Sequence, residues 1–357
     1  MRDARRRDTP SALDGRRPWI AVDAMGGDDA PNAIVAGVHE AVTIDQARII
    51  LVGHRARVAA ALSRFGDRLL GDRLRIEHAE DHVPMDASAA VIRTKRDASV
   101  RIAARLVRDR RARAMVTAGH TGAALIAAKV HIGTVAGVDR PALAGVFPSR
   151  CGGTVVLDVG ANLTAKPAQL FEFAVMGHFY AQTALGLDAP RVGLMSVGEE
   201  AGKGDESTRA AFDILENTGL NFVGNVEGRS VFDGSVDVIV CNGFVGNVLL
   251  KSCESLAYYT MDLLREAFTS TARSKIGAGL LTPSLRRLRK RLDWSEQGAA
   301  PLLGIRGGCF IGHGSSDAKA IKNAVRRAVE FCNADLDTKI EDRVAELHRQ
   351  EAALLGA

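Results

Sequence analysis

Apolar and polar positions alternate along the chain in two patterns. Short apolar runs rich in valine and isoleucine recur at 19–24, 49–53, 74–78, 114–117, 154–158, 192–197 and 236–241. Their length and apolar content predict buried strands. Longer stretches of helical period lie between them at 32–42, 87–108, 167–185 and 207–218. Strand, turn and helix in repeated succession predict a three-layer α/β/α fold around a mainly parallel sheet. Residues 1–17 read as a disordered basic leader and 18–335 as one α/β/α domain with a protruding basic amphipathic segment near 262–296, while 336–357 reads as a C-terminal helix.

Composition narrows the setting. A chain of 357 residues, 46% of them hydrophobic, can bury a sizeable core as one large domain or two lobes. Its five cysteines form no CxxC pair and sit mostly in apolar runs, which implies reduced thiols and a cytoplasmic location. Lys129 and His131 interrupt the best candidate for a membrane span, around 125–138, well short of the roughly 18 apolar residues a crossing helix needs. The first 17 residues hold six arginines and three aspartates with no apolar segment behind them, unlike a secretory signal.

Charge is unevenly placed. Seven basic and no acidic residues lie between Arg273 and Arg291, more than the net +5 of the whole chain. This asymmetry favours an acidic partner: a carrier protein, an anionic membrane surface or nucleic acid. No aromatic residue interleaves the cluster before Trp294, so base stacking is poorly served and nucleic acid is set aside. Leu281, Leu285, Leu288 and Leu292 form one apolar stripe of a helix whose other face carries Arg286, Arg287, Arg289, Lys290 and Arg291. Such a helix either lies in an anionic membrane interface, through Leu281, Leu285 and Leu288, or packs on a dimer partner.

In a parallel sheet, ligands bind beyond the carboxyl ends of strands, so chemistry is to be sought in the turns that follow them. The first turn contains Asp23, Gly26 and Gly27 ahead of Pro31 and suits a phosphate or phosphopantetheine group. The others carry Gly119, His120, Thr121 and Gly122; Asn162 and Lys166; Gly246, Asn247 and Lys251 behind Asn242; and His313, Gly314 and Ser315. If the five converge on one sheet edge, they form a site rich in N–H and side-chain donors, suited to phosphate oxygens and a developing oxyanion. Lys203 sits among glycines after the run at 192–197, within reach of a bound anion. No Walker loop, HExxH or GxSxG is present, Ser88 and Ser196 have no evident partner base, and His54, His78, His82 and His178 are scattered. No metal site is expected, and direct displacement on a bound substrate is favoured over a covalent acyl enzyme.

The runs AVDAMGGD, TAGHTGA, LDVGAN, QLFEFAVMG, PRVGLMSVGEEAGKG, NFVGNVEGR, VCNGFVGNVLLK, PLLG and HGSS stand here in the order found in the phosphate acyltransferases that act on acyl carrier protein thioesters. From about Trp19 to Val329 the chain resembles that family. The resemblance implies a homodimer similar in fold to phosphotransacetylases and isocitrate-dehydrogenase-like enzymes, acting without a cofactor. It implies long-chain acyl-ACP and inorganic phosphate as substrates, and an acyl phosphate product used by a membrane-bound glycerol-3-phosphate acyltransferase in phospholipid synthesis. It further implies peripheral membrane association. Three departures stand out: His120 where the family has Asn, Asn242 where it has a candidate catalytic Asp, and the basic leader. Lys203 and Asn242 are the expected catalytic residues, with Asn162, His120 and Asn247 as oxyanion donors. A phosphotransacetylase-like enzyme using acyl-CoA and an inactive scaffold of the same fold remain alternatives.

Overall fold

The computed structural model describes residues 17–66, 71–292 and 294–355. Most of the expected leader and the side chains of Leu292, Arg289, Lys290 and Arg291 lie outside the described residues. The first half runs β1 (Trp19–Asp23), α1 (Asn32–Thr43), β2 (Arg48–Gly53), α2 (Arg55–Ser63), β3 (Leu74–His78), α3 (Ser99–Arg108), β4 (Ala114–Thr117) and α4 (Thr121–Ala127). The middle runs β5 (Ala142–Ser149), β6 (Gly152–Leu157), α5 (Pro167–Leu185), β7 (Val192–Met195), α6 (Glu206–Glu216), β8 (Phe222–Val226), α7 (Ser230–Asp233) and β9 (Val238–Val240). The chain ends with α8 (Gly243–Thr269), α9 (Ala272–Leu292), β10 (Ala300–Leu303), β11 (Gly308–Ile311), α10 (Ala318–Asn333) and α11 (Leu336–Leu355).

The strands form one sheet in the order β3-β2-β1-β4-β11-β10-β5-β6-β9-β7-β8. The first five are mutually parallel, as are the last four. Between them, β10 pairs antiparallel with both β11 and β5, and β5 pairs antiparallel with β6. The direction therefore reverses at the β5–β6 hairpin, so the turns after β6, β7 and β9 follow strands paired in the opposite sense to those that precede the turns after β1, β4 and β11. Within the sheet the five turns bond locally as two clusters, one for each half.

Helices cover both faces. α5 is apolar nearly all round, burying Leu170, Phe171, Phe173, Ala174, Val175 and Met176, as a helix wedged inside a large core must. Phe147, Phe173 and Phe310 are essentially fully buried, each contributing about 1.5–3 kcal/mol of hydrophobic stabilisation. The helix expected over 87–108 is broken: a 3-10 turn at Ala89–Arg93 is followed by extended Ala98 before α3 begins. The break is held by the loop after β3, where Asp81 bonds the Asp97 carbonyl and the Ser99 amide through its backbone and Lys95 Nζ through its carboxylate, the last at 2.7 Å. Four strands escape the periodicity reading, β5, β8, β10 and β11, because they are short or contain Gly and Pro.

One buried carboxylate ties α5 to the approach to β5. Glu172 accepts the Asp139 amide at 3.0 Å, and Gln169 Nε2 donates to Asp139 Oδ2. Burial, with a smaller push from the Asp139 charge, raises the Glu172 carboxyl from 4.5 to about 7. Between those values the native state holds a proton that the unfolded chain has released, so this group's contribution to stability falls as pH rises. Glu172→Gln keeps an acceptor for Asp139. Its melting temperature is expected to fall less than that of the wild type between about pH 5 and pH 8, and an equal slope in thermal melts would contradict the assignment.

Candidate functional site

The cluster at the carboxyl ends of β6, β9 and β7 is organised around Asp158, which follows β6 and is fully buried. Its Oδ1 accepts the amides of Leu143, Gly160 and Ala161 at 2.9–3.1 Å, and its Oδ2 accepts the Asn162 amide at 2.6 Å and Asn162 Nδ2 at 2.9 Å. Desolvation raises this carboxyl above its ordinary range, while these hydrogen bonds favour its ionised form. The second Asn162 Nδ2 proton goes to the Pro141 carbonyl at 2.8 Å, and the Asn162 carbonyl accepts the Gly243 amide at 2.7 Å. Asn162 is thus a clamp between the β6 turn and the start of α8. Both protons of its side-chain amide are spent, which corrects its expected role as an oxyanion donor.

α8 enters this nest so closely that it requires glycine. A Cβ on Gly246 would overlap the Asp158 carbonyl oxygen, and one on Gly243 would lie 2.5 Å from the Asn162 carbonyl. Asn242 caps the helix, its Oδ1 accepting the Val245 amide at 2.9 Å. Aspartate would cap equally well, so the departure at this position keeps the local fold. Asparagine adds an Nδ2 donor with no partner among the described residues. One turn on, the Asn247 side chain lies beside Gly160, and another turn on Lys251 pairs with Glu254 at 2.8 Å. Lys166 caps α5 through its backbone, its amide donating to Gln169 Oε1 at 2.9 Å.

Beside β9, the strand β7 leads into the loop that carries Lys203, an exposed residue without an ion-pair partner among the described residues. Gly204 there takes φ +101°, a left-handed conformation that glycine adopts without strain. Cys241 is buried against Asp158, its Sγ donating to the Asp158 carbonyl at 3.5 Å, and desolvation followed by that neighbouring charge pushes its thiol far up. A thiol so held stays neutral and does not serve as a nucleophile.

The other cluster, beyond β1, β4 and β11, centres on Asp23, also fully buried. Asp23 accepts the Met25 amide at 3.0 Å and the Thr117 hydroxyl at 2.8 Å, while the Gly119 amide donates to the same hydroxyl oxygen at 3.0 Å. Burial raises its carboxyl, opposed by hydrogen bonds from Ser99 and Thr117. A Cβ on Gly26 would lie 2.6 Å from the Gly119 nitrogen, which explains a glycine where the two turns touch. His120 caps α4 by accepting the Ala123 amide at Nδ1, 3.3 Å away. The ring nitrogen supplies the acceptor that a helix N-cap requires. Thr121 and Gly122 open the same helix, and a Cβ on Gly122 would press on Ala89. The Gly314 carbonyl accepts the Asp28 amide at 2.8 Å, and His313 Nδ1 lies 2.8 Å from the Ser315 hydroxyl. An open cleft of about 590 Å³ beside these turns is lined by Asp28, Asn32, Arg64, Phe65, Ser315 and Asp317, and an adjoining pocket of about 290 Å³ by Arg57, His82 and Met85. No hydrogen bond joins the two clusters among the described residues.

Asp158, Thr117 and Asn225 were not singled out from sequence. Each ends or occupies a strand, where a polar residue reads as an interruption of the apolar run. The usable signal for the first two was a carboxylate or hydroxyl immediately before a glycine-containing turn.

A family model described as fatty acid synthesis protein matches residues 19–339. A phosphate acyltransferase of Pelotomaculum thermopropionicum is 48% identical over 312 residues, 87% of this chain and 90% of that protein. One from Thermus thermophilus is 45% identical over 330 residues, 92% of this chain and 99% of that protein. Among solved structures, a phosphotransacetylase from Streptococcus pyogenes matches with a TM-score of 0.62 at 16% identity, covering 90% of this chain and 95% of that one. Another from Staphylococcus aureus gives 0.57 at 14% identity, covering 89% and 94%. These two matches establish a shared α/β fold.

Proposed function

The chain belongs to the phosphate acyltransferase family and is an acyltransferase, and from that premise we propose that it moves a long-chain acyl group from acyl carrier protein to inorganic phosphate, supplying acyl phosphate for phospholipid synthesis. The observation that carries this reading is the β6–β9–β7 cluster: a helix N-terminus, the unspent Asn242 Nδ2 and the Lys203 ammonium on neighbouring strand ends, with the Cys241 thiol beside them held neutral and the Asp158 carboxyl spent on backbone amides. Such a set holds an oxyanion and does not form an acyl enzyme.

In the proposed step, a hydrogen phosphate oxygen attacks the thioester carbonyl carbon. The new C–O bond forms as the C–S bond breaks, and the phosphate proton passes to the departing carrier thiolate. Inorganic phosphate is anionic throughout the neutral range, so it reaches the site already charged and needs no strong base. That is why an asparagine at position 242 is compatible with catalysis. Lys203 neutralises the phosphate and Asn242 orients it. Palmitoyl-ACP as the preferred donor over palmitoyl-CoA and acetyl-CoA would bear this out, and exclusive use of a CoA thioester would overturn the choice of carrier.

The α8–α9 hairpin supports peripheral contact with an anionic membrane by a homodimer. Among the described residues no helix is long and apolar enough to cross a membrane. Yet Leu256, Tyr258, Tyr259, Leu263, Ile276 and Leu280 are exposed along these two helices, as are Leu281 and Leu288, with Leu285 half-buried between them and Arg286 and Arg287 alongside. Leu281→Glu combined with Leu288→Glu is expected to weaken binding to anionic vesicles by about tenfold or more in low salt. Unchanged vesicle binding with an unchanged sedimentation profile would contradict the membrane role.

A further inference from the structure

The proposed phosphate lysine sits on a loop that one buried asparagine holds. β7 and β8 pair in parallel with Leu194 opposite Asn225, so the side chains of Leu194, Ser196 and Asn225 project from the same face. The ladder continues one step past the paired residues, the Ser196 amide donating to the Val226 carbonyl at 2.9 Å. The loop then folds back over this face, for a Cβ on Gly204 would come within 3.1 Å of Ser196 Oγ.

The Glu200 carbonyl is the junction. It accepts the Lys203 backbone amide at 3.0 Å, closing the turn that presents Lys203, and it also accepts Asn225 Nδ2 at 2.8 Å. Asn225 is only 4% exposed, so its grip comes from the sheet, a rigid element. Its remaining acceptor, Oδ1, is buried without a hydrogen-bond partner among the described residues, and so is Ser196 Oγ. A loop that merely packed on the sheet would be served by apolar side chains at both places. Buried polar atoms without partners are uncommon and call for an explanation.

We propose that Asn225, seated beside Ser196, is a positioning residue for phosphate use: it sets the Glu200–Lys203 turn, and through it the Lys203 ammonium. This inference rests on the reading of Lys203 as the phosphate-binding cation. A double-mutant cycle in phosphate kinetics tests both. Asn225→Ala is expected to raise the KM for phosphate about tenfold in the wild-type background and less than twofold in Lys203→Met, with the KM for the acyl donor unchanged. Asn225→Asp, which keeps the volume and removes the donor, is expected to behave like alanine and covers the case in which the alanine variant fails to fold. Asn225→Gln, which keeps an amide donor, is expected to recover part of the loss. Equal effects of Asn225→Ala in both backgrounds, or equal rises in both KM values, would overturn the positioning role while leaving Lys203 in place. A Lys203→Met enzyme with unchanged phosphate KM would instead show that the reading of Lys203 itself was wrong and remove the inference with it.

Discussion

Gly246→Ala is expected to reduce acyl transfer by on the order of a hundredfold and to lower thermal stability by about 1–3 kcal/mol. The added methyl would occupy the place of the Asp158 carbonyl oxygen, which belongs to backbone rather than to a flexible side chain and has little room to yield. Relief requires α8 to draw back from the β6 turn, straining the Gly243 amide bond to the Asn162 carbonyl and moving the Asn242 cap with the helix. The Gly204 loop is tied to β8 instead, so the phosphate-facing groups would lose register with one another. Single-turnover rates and melting curves check this. A variant with normal turnover would show that the close approach of α8 has no part in catalysis.

Lys203→Met comes second in expected effect. The residue is exposed on a glycine loop and supports no core contact, so substitution should leave the melting temperature within about a degree of the wild type. Phosphate-dependent turnover should nonetheless fall by about a hundredfold to a thousandfold, the range seen when a preorganised charge-stabilising group is removed. Because the ammonium acts on phosphate, the loss should be steepest at low phosphate, and steady-state kinetics over a phosphate series reads it directly. A turnover within about threefold of wild type at every phosphate concentration would remove Lys203 from the mechanism.

Much of this molecule was legible along the chain. The apolar runs that became β1, β2, β4, β6, β7 and β9 stood out because a strand buried on both faces is nearly all apolar, whereas β3, at the sheet edge, alternates Leu74 and Ile76 with Arg75 and Glu77. α5 was legible to its ends, with Pro167 starting it and Gly186 closing it in a left-handed conformation. Strand direction was not legible, since nothing in the periodicity of 142–157 marks the antiparallel β5–β6 hairpin that splits the five turns into two clusters. The side-chain commitments were hidden for the same kind of reason. Asn162 looks like a free donor until both of its amide protons are traced to Pro141 and Asp158. Asn242 and His120 look like lost catalytic groups until each is seen capping a helix.

The most direct test of the central claim is release of carrier thiol from palmitoyl-ACP, measured with and without inorganic phosphate, with the product trapped by hydroxylamine. The account predicts thiol release that requires phosphate and yields a hydroxamate in equal amount. Thiol release that proceeds at the same rate without phosphate and gives free fatty acid would mean that water is the acceptor, and the assignment of acyl transfer to phosphate would fall.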